Sequence, residues 1–355
     1  MSAHLFTPLT LRGVTLRNRI GVSPMCQYSC EDGIATDWHL VHLGSRAVGG
    51  AGLVMVEATA VEDRGRISPG DMGLWNDDQI EPLARVARFV KRQGAVAGIQ
   101  IGHAGRKGST VAPWLGNRAL TVAEGAWEVV APSAIPFGPD YPTPHELSAA
   151  EIGGIVEAFT RAARRALAAG FEVIEVHSAH GYLLHEFLSP FANRRCDAYG
   201  GGLDNRIRAL KEVAVSVRAV WPEGQPVFVR ISATDWNEGG WDADQSVELA
   251  RRLRGAGVDL IDVSSGGVIP GVRIPAGPGY QTPFAERIRR EAGVPVAAVG
   301  EITSPQQADQ IVRNGQADMV LLAREFLRQP YWPLHAARTL GDQPPVPPPY
   351  RRAFS

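Results

Sequence analysis

Residues 148–182 read SAAEIGGIVEAFTRAARRALAAGFEVIEVHSAHGY. Ser148-Ala-Ala-Glu151 has the form of a capping box, in which a hydroxyl and a carboxylate each take up a free N–H at a helix start. Ile152, Ile155, Val156, Phe159, Ala163, Ala166 and Leu167 then recur at helical spacing, and Gly170 ends the helix. The run Val173-Ile-Glu-Val176 follows at once and closes on His177. A helix feeding a short buried strand with a polar end is one unit of an alternating α/β fold.

Working outward, the same unit recurs. Short runs rich in Val, Ile and Leu fall at Ile20–Ser23, Leu53–Val56, Val96–Ile101, Val173–Val176, Val227–Ile231, Leu260–Val263, Val294–Val299 and Met319–Leu322. Such runs suit parallel strands covered on both faces. Asn205–Trp221 reads as a helix stopped by Pro222. Ser304–Asn314 reads as another, with Pro305 in its first turn and Gly315 at its end. Together these predict one closed (β/α)8 TIM barrel. An open doubly wound sheet shares the element order, but no Gly-x-Gly-x-x-Gly turn follows the first run to mark a dinucleotide fingerprint.

The chain has 355 residues, and a barrel of ~250 residues leaves about 100 for insertions. A single domain over residues 1–355 is expected. Its largest interruption, residues 102–147, holds Trp114, Trp127 and Tyr141 and reads as an excursion over the barrel mouth. The tail, residues 343–355, contains Pro344-Pro-Val-Pro-Pro-Pro349 and is expected to be extended rather than helical. Thirty-six basic against thirty-seven acidic residues give a formal charge of −1, which removes the electrostatic footprint of a nucleic-acid binder. No apolar run reaches the roughly 18 residues that span a membrane. Met1-Ser-Ala-His-Leu-Phe-Thr-Pro8 lacks the pattern of a secretion signal. Three cysteines, Cys26, Cys30 and Cys196, build no disulfide framework, and a reducing cytoplasm is the expectation.

Chemistry in such a barrel sits at the carboxyl ends of the strands. Here the runs lead into Ser23-Pro-Met-Cys26, Glu57-Ala58, Gln100 and His103, His177, Arg230, Ser264-Ser-Gly-Gly267, Gly300, and Ala323-Arg324. One polar end is an ordinary solvated rim; a ring of them predicts a ligand site. The loops after the last two strands commonly hold a phosphate in this architecture. Gly300 allows close backbone approach, and Arg324 offers a charged fork.

His177-Ser-Ala-His180-Gly-Tyr182 is the sharpest local signal. Two histidines three apart suit a metal pair, but that needs a third ligand of suitable type, and no His-Glu-x-x-His or paired Cys-x-x-Cys accompanies them. They also suit structural histidines. The third reading is a pair of donors holding an electron-rich oxygen, with Tyr182 placed to give a proton. The residues alone carry the reading to a barrel enzyme with a phosphate-bearing ligand and a His/His/Tyr donor set.

Several segments then resemble the old yellow enzyme family of FMN-dependent ene-reductases, most closely its bacterial NADPH dehydrogenase and xenobiotic reductase subgroup. They are Leu16-Arg-Asn-Arg-Ile20, Ser23-Pro-Met-Cys-Gln-Tyr28, Gly98-Ile-Gln-Ile101, His103-Ala-Gly-Arg-Lys107, Ala131-Pro-Ser-Ala134, His177-Ser-Ala-His-Gly-Tyr-Leu183, Phe187-Leu-Ser-Pro190, Asp197-Ala-Tyr-Gly-Gly201, Asn205-Arg206 and Pro278-Gly-Tyr-Gln281. The likeness runs from Leu5 to about Arg352. It implies that Ser23, Pro24, Met25 and Cys26 line FMN, with Cys26 tuning the flavin. It places Ala58 and Gln100 on the flavin, Arg230 beside its N1 and O2 atoms, and Gly300, Ala323 and Arg324 at the phosphate. Where this chain has Ala323 the family often has Gly. His177 and His180 match the pair that holds the substrate's carbonyl or nitro oxygen. Tyr182 matches the proton donor, Tyr28 a substrate-contacting aromatic, and Lys107 a lysine near the site. Arg352 matches an arginine reaching into a neighbouring subunit's site, which implies a homodimer or homotetramer.

The activity so implied is reduction of activated C=C bonds in α,β-unsaturated carbonyl or nitro compounds, with NADPH as hydride donor and transfer from flavin N5. Two alternatives stay open at this point: a barrel lyase or isomerase acting on a phosphorylated substrate, and an idle flavin-binding protein.

Overall fold

The computed structural model describes residues 3–116, 118–343 and 346–353. Eight parallel strands close into a barrel: β1 (Ile20–Val22), β2 (Leu53–Ala60), β3 (Val96–Gly102), β4 (Val173–Ser178), β5 (Val227–Ser232), β6 (Leu260–Ser264), β7 (Val296–Ala298) and β8 (Met319–Leu322). They neighbour one another in chain order, and β8 pairs with β1. All eight predicted runs are strands, and the closure excludes the open sheet. An antiparallel hairpin, Leu9–Leu11 with Val14–Leu16, precedes the barrel.

Among the described residues, eight helices of eight residues or more wrap the strands: α1 (Asp37–Val48), α2 (Ile80–Arg92), α3 (Ala149–Ala168), α4 (Arg208–Val220), α5 (Ala243–Gly255), α6 (Thr282–Ala292), α7 (Pro305–Arg313) and α8 (Trp332–Thr339). The start of α3 has its capping box: Glu151 N donates to Ser148 Oγ at 3.3 Å, and Ser148 N donates to Glu151 Oε2 at 2.8 Å. Gly170 takes φ +85° just past its end, a conformation open to glycine. The predicted helix over 205–221 is two pieces, Leu203–Arg206 and α4, meeting at Ile207.

Strand residues alternate between two cores. Those facing out, such as Ile174 and Val176, pack with Phe159, Ala163 and the other helix faces. Those facing in, such as Leu53, Val173, Phe228 and Leu260, fill the barrel. Each such large apolar side chain contributes about 1.5–3 kcal/mol on burial. No helix among the described residues is long and apolar enough to cross a membrane.

Residues 102–147 carry short turns and a two-stranded pairing of Val130–Ala131 with His145–Glu146. The tail departs from expectation. Pro344 and Pro345 lie outside the described residues, but Pro348–Ala353 forms a 3₁₀ helix, with Tyr350 N donating to Pro347 O at 2.9 Å. Proline lacks an N–H, but the first turn of a helix needs none, so Pro348 and Pro349 can open a helix that they could not continue.

Candidate active site

The strand ends and the loops after them form one mouth. Ser23 follows β1, and its Oγ accepts from Arg230 Nη1 at 3.0 Å. This ties the ends of β1 and β5 together across the barrel. Pro24, Met25 and Cys26 continue the same loop, half-buried. Burial, then the Asp71 and Glu57 carboxyls, push the Cys26 thiol well above its usual range, so it stays neutral. Tyr28 takes φ +51° and packs edge-on against Trp114, ring centroids 5.6 Å apart. Trp114 belongs to the 102–147 excursion, which therefore covers this side of the mouth. Burial and the same acidic neighbours, with Cys26, keep the Tyr28 phenol protonated.

Ala58 on β2 shares a slot of about 10 Å³ with Asp71, His103, His177 and Tyr182. Asp71 Oδ2 accepts from Ile67 N at 2.7 Å, while Oδ1 is buried without a partner among the described residues. Burial raises this carboxyl to about 8.

His177 ends the inward face of β4 at 4% exposure. Its Nδ1 is buried with no hydrogen-bond partner among the described residues. His180 sits on a turn at φ +60°. Its N–H donates to Ser232 Oγ at 2.9 Å, and its Nε2 lies 2.7 Å from Ser264 Oγ. The two imidazole centroids are 5.2 Å apart, and Tyr182 is 5.2 Å from His177. Burial, reinforced by Arg230, lowers both histidines well below their usual range. Burial likewise raises the Tyr182 phenol well above its own. The set therefore consists of two neutral imidazoles and a protonated phenol.

Lys107 is turned inward, not out to solvent. Its Nζ donates to His180 O at 2.8 Å and Gly267 O at 3.1 Å, and it lies 5.1 Å from the Tyr182 ring centroid. Burial pulls its ammonium down to about 8. It braces the turn that presents His180.

A cavity of about 390 Å³ opens beside this group, lined by Arg230, Ser264, Gln281, Gly300, Ala323 and Arg324 among others. Gly300 takes φ +120°, and a Cβ there would lie 2.8 Å from Gln281 Nε2 and 3.0 Å from the Tyr280 ring. Arg324 is exposed at the rim, its Nη2 3.5 Å from Glu301 Oε1. Gln100 lies deeper, its Nε2 donating to Glu175 Oε1 at 2.7 Å.

Arg352 is the predicted residue that this mouth does not gather. It lies in the tail helix and lines a cleft with Tyr331, His335 and Tyr350. Sequence reasoning also passed over Glu175, Asp262, Asp71 and Glu186, all buried carboxyls near the mouth. For Glu175 and Asp262 a signal existed: each is an acid inside an apolar strand run, two residues before a mouth residue. Asp71 and Glu186 lie in a loop and a short helix and carry no such period.

The chain is similar to known proteins in sequence and fold. The profile of the NADH:flavin oxidoreductase / NADH oxidase family matches residues 4–343. An NADPH dehydrogenase of Geobacillus thermodenitrificans is 51% identical over 100% of this chain and 99% of its own. A solved structure of morphinone reductase in complex with tetrahydroNAD superposes with a TM-score of 0.79 at 27% identity, covering 95% of this chain and 91% of that one. The old yellow enzyme homologue of Zymomonas mobilis superposes at 0.80 with 26% identity, covering 94% and 92%.

Proposed function

The chain belongs to the NADH:flavin oxidoreductase / NADH oxidase family, and from that premise we propose that it is an FMN-dependent NADPH oxidoreductase that reduces activated C=C bonds. The observation that carries the reading is the neutral His177/His180 pair, with Nδ1 of His177 unpartnered among the described residues, set beside a cavity lined by the guanidinium groups of Arg230, Arg324 and Arg328. Arg230 is buried and Arg324 exposed. A flat ring with a phosphate tail fits such a cavity, and the bare Gly300 backbone leaves its wall open.

In this reading Ser23, Pro24, Met25, Ala58 and Gln100 border the flavin ring, Arg230 faces its pyrimidine edge, and Gly300, Ala323 and Arg324 take the phosphate. The chemistry supplied by bound FMN is hydride exchange, from NADPH to the β-carbon of the activated alkene. His177 and His180, uncharged, donate hydrogen bonds to the carbonyl or nitro oxygen and so polarise the double bond. Lys107 and Ser264 fix His180 in place. Tyr182, held protonated, gives its proton to the α-carbon. Cys26 borders the flavin with its loop neighbours as a neutral, tuning thiol, and Tyr28 borders the substrate from the other side. Arg352 acts across a subunit contact, in a homodimer or homotetramer. The lyase or isomerase alternative needs a free amine or a base, and Lys107 has its Nζ donating to two backbone carbonyls.

The test is spectral. Purified protein should be yellow, bleach on anaerobic addition of NADPH, and recover its colour with cyclohexenone. A colourless protein that does not take up FMN would overturn the reading.

A further inference from the structure

Just beneath the mouth the barrel interior changes character. Lower inward residues such as Leu53, Phe228, Leu260 and Met319 are apolar. Above them Gln100, Glu175, Arg230 and Asp262 project inward from four neighbouring strands, β3 to β6. Gln100 stands opposite Glu175 in register, and Arg230 opposite Asp262. Glu175 and Asp262 are fully shielded from solvent, at 0% exposure.

The partners do not suffice for two carboxylates. Glu175 Oε1 accepts from Gln100, but Oε2 has no partner among the described residues. Asp262 Oδ2 lies 3.1 Å from Arg230 Nε, yet neither of its oxygens receives a directed hydrogen bond. Arg230 spends Nη1 on Ser23. Around the pair stand one cation, Arg230, one amide, Gln100, and the neutral His177 above. Two like charges in a dry interior with one counter-ion do not both persist. Burial pushes both carboxyls up; Arg230 draws Asp262 back down, and the Asp262 charge pushes Glu175 further up.

We propose that Glu175 and Asp262 are a positioning pair for Arg230 that holds one shared proton, resident on Glu175, so that a single negative charge balances the guanidinium beneath the ligand. Neither residue touches the reacting atoms. The pair buffers the charge that Arg230 presents. If Asp262 is neutralised, Glu175 gives up its proton and supplies the balancing charge. Only neutralising both leaves Arg230 unbalanced, and an unbalanced cation favours the reduced, more negative flavin. That consequence rests on the FMN reading; the protonation itself does not.

Two measurements test it. The first is infrared spectroscopy of FMN-free protein at neutral pH. Asp71, raised to about 8, also contributes protonated-carboxyl absorption at this pH, so the readout is the native-minus-E175Q difference spectrum, which should show the loss of one protonated-carboxyl band. A difference spectrum with no such loss overturns the proposal. The second is the midpoint potential of bound FMN in native protein, E175Q, D262N and the double variant. Each single variant should stay near the native value. The double variant should bind reduced over oxidised FMN at least tenfold more strongly than either, a rise of about 30 mV for a two-electron couple. Such non-additivity marks shared function, which a merely structural role would not produce. A full rise in E175Q alone, or none in the double variant, overturns it. If either variant carrying Asn at 262 fails to fold, the band and the E175Q potential still decide. Failure of native protein to bind FMN strikes the functional reading instead, and leaves the infrared result standing.

Discussion

The two sides of the barrel mouth differ in the sign of their surroundings. On the side of β1 and β2, two weak acids, Cys26 and Tyr28, lie near the Glu57 and Asp71 carboxyls. On the side of β4 and β5, two bases, His177 and His180, lie near Arg230 and Lys107. Each ionisable group is set beside others whose charged forms carry the sign it would itself acquire. Burial and Coulomb repulsion then act in one direction on both sides. Acids stay protonated and bases stay unprotonated. The mouth so offers hydrogen bonds without mobile charge, and Arg230 remains the deep fixed cation. Such a site can hold, through hydrogen bonds from uncharged donors, an oxygen whose negative charge grows during reaction.

The strongest way to break that comparison is to empty the basic side. The double variant H177A/H180A should lose alkene turnover by roughly 10²–10³-fold per donor removed. It should still bind FMN, because Arg230, Gly300, Ala323 and Arg324, which line the 390 Å³ cavity, are untouched. Steady-state rates with cyclohexenone and the visible spectrum measure both effects. Unchanged turnover would end the assignment of the pair.

Tyr182 stands between the two sides, touching His177 at 5.2 Å and sharing the Asp71 slot. Y182F keeps the ring and removes the proton. Loss of a positioned proton donor typically costs about 10²–10⁴-fold. Stopped-flow should place that loss in reoxidation by enone and leave reduction by NADPH nearly unchanged. Equal slowing of both halves would make the tyrosine a binding residue.

What the sequence made legible follows the same division. The fold was readable because strand runs and capped helices are local patterns; Ser148 with Glu151, and Gly170, act within a few residues. The basic side was readable because its donors crowd into residues 177–182 and end a strand. The acidic side was not. Asp71 sits in a loop, and only the assembled barrel shows it facing Ala58 and Tyr182. Glu175 and Asp262 were hidden differently: within Val173–Val176 and Leu260–Val263 they passed as interruptions of an apolar run. A strict period of two places each on the inward face with His177 and Ser264. Arg352 escapes any one-chain account, since its expected partner is a second copy.

The smallest effect sharpens the acidic side. Asp71, raised to about 8 by burial, is mostly neutral near neutral pH and ionises above it. Its charge then opposes ionisation of the Cys26 thiol, which is among the causes of that thiol's raised range. Iodoacetamide reacts with thiolate, whose fraction rises about tenfold per pH unit below the thiol's own pKa. In native protein that rise should flatten above about 8, as Asp71 gains its charge. In D71N it should continue. Both chains should carry Cys196→Ser, since Cys196 is exposed and would consume reagent. Labelling of the Cys26 peptide, followed by mass spectrometry, should coincide for the two chains at low pH and diverge several-fold above the Asp71 transition, with D71N the faster. Parallel profiles across the whole range would mean that burial alone holds the thiol neutral. The symmetry between the two sides of the mouth would then be one of solvent exclusion, with no part played by the acidic neighbours.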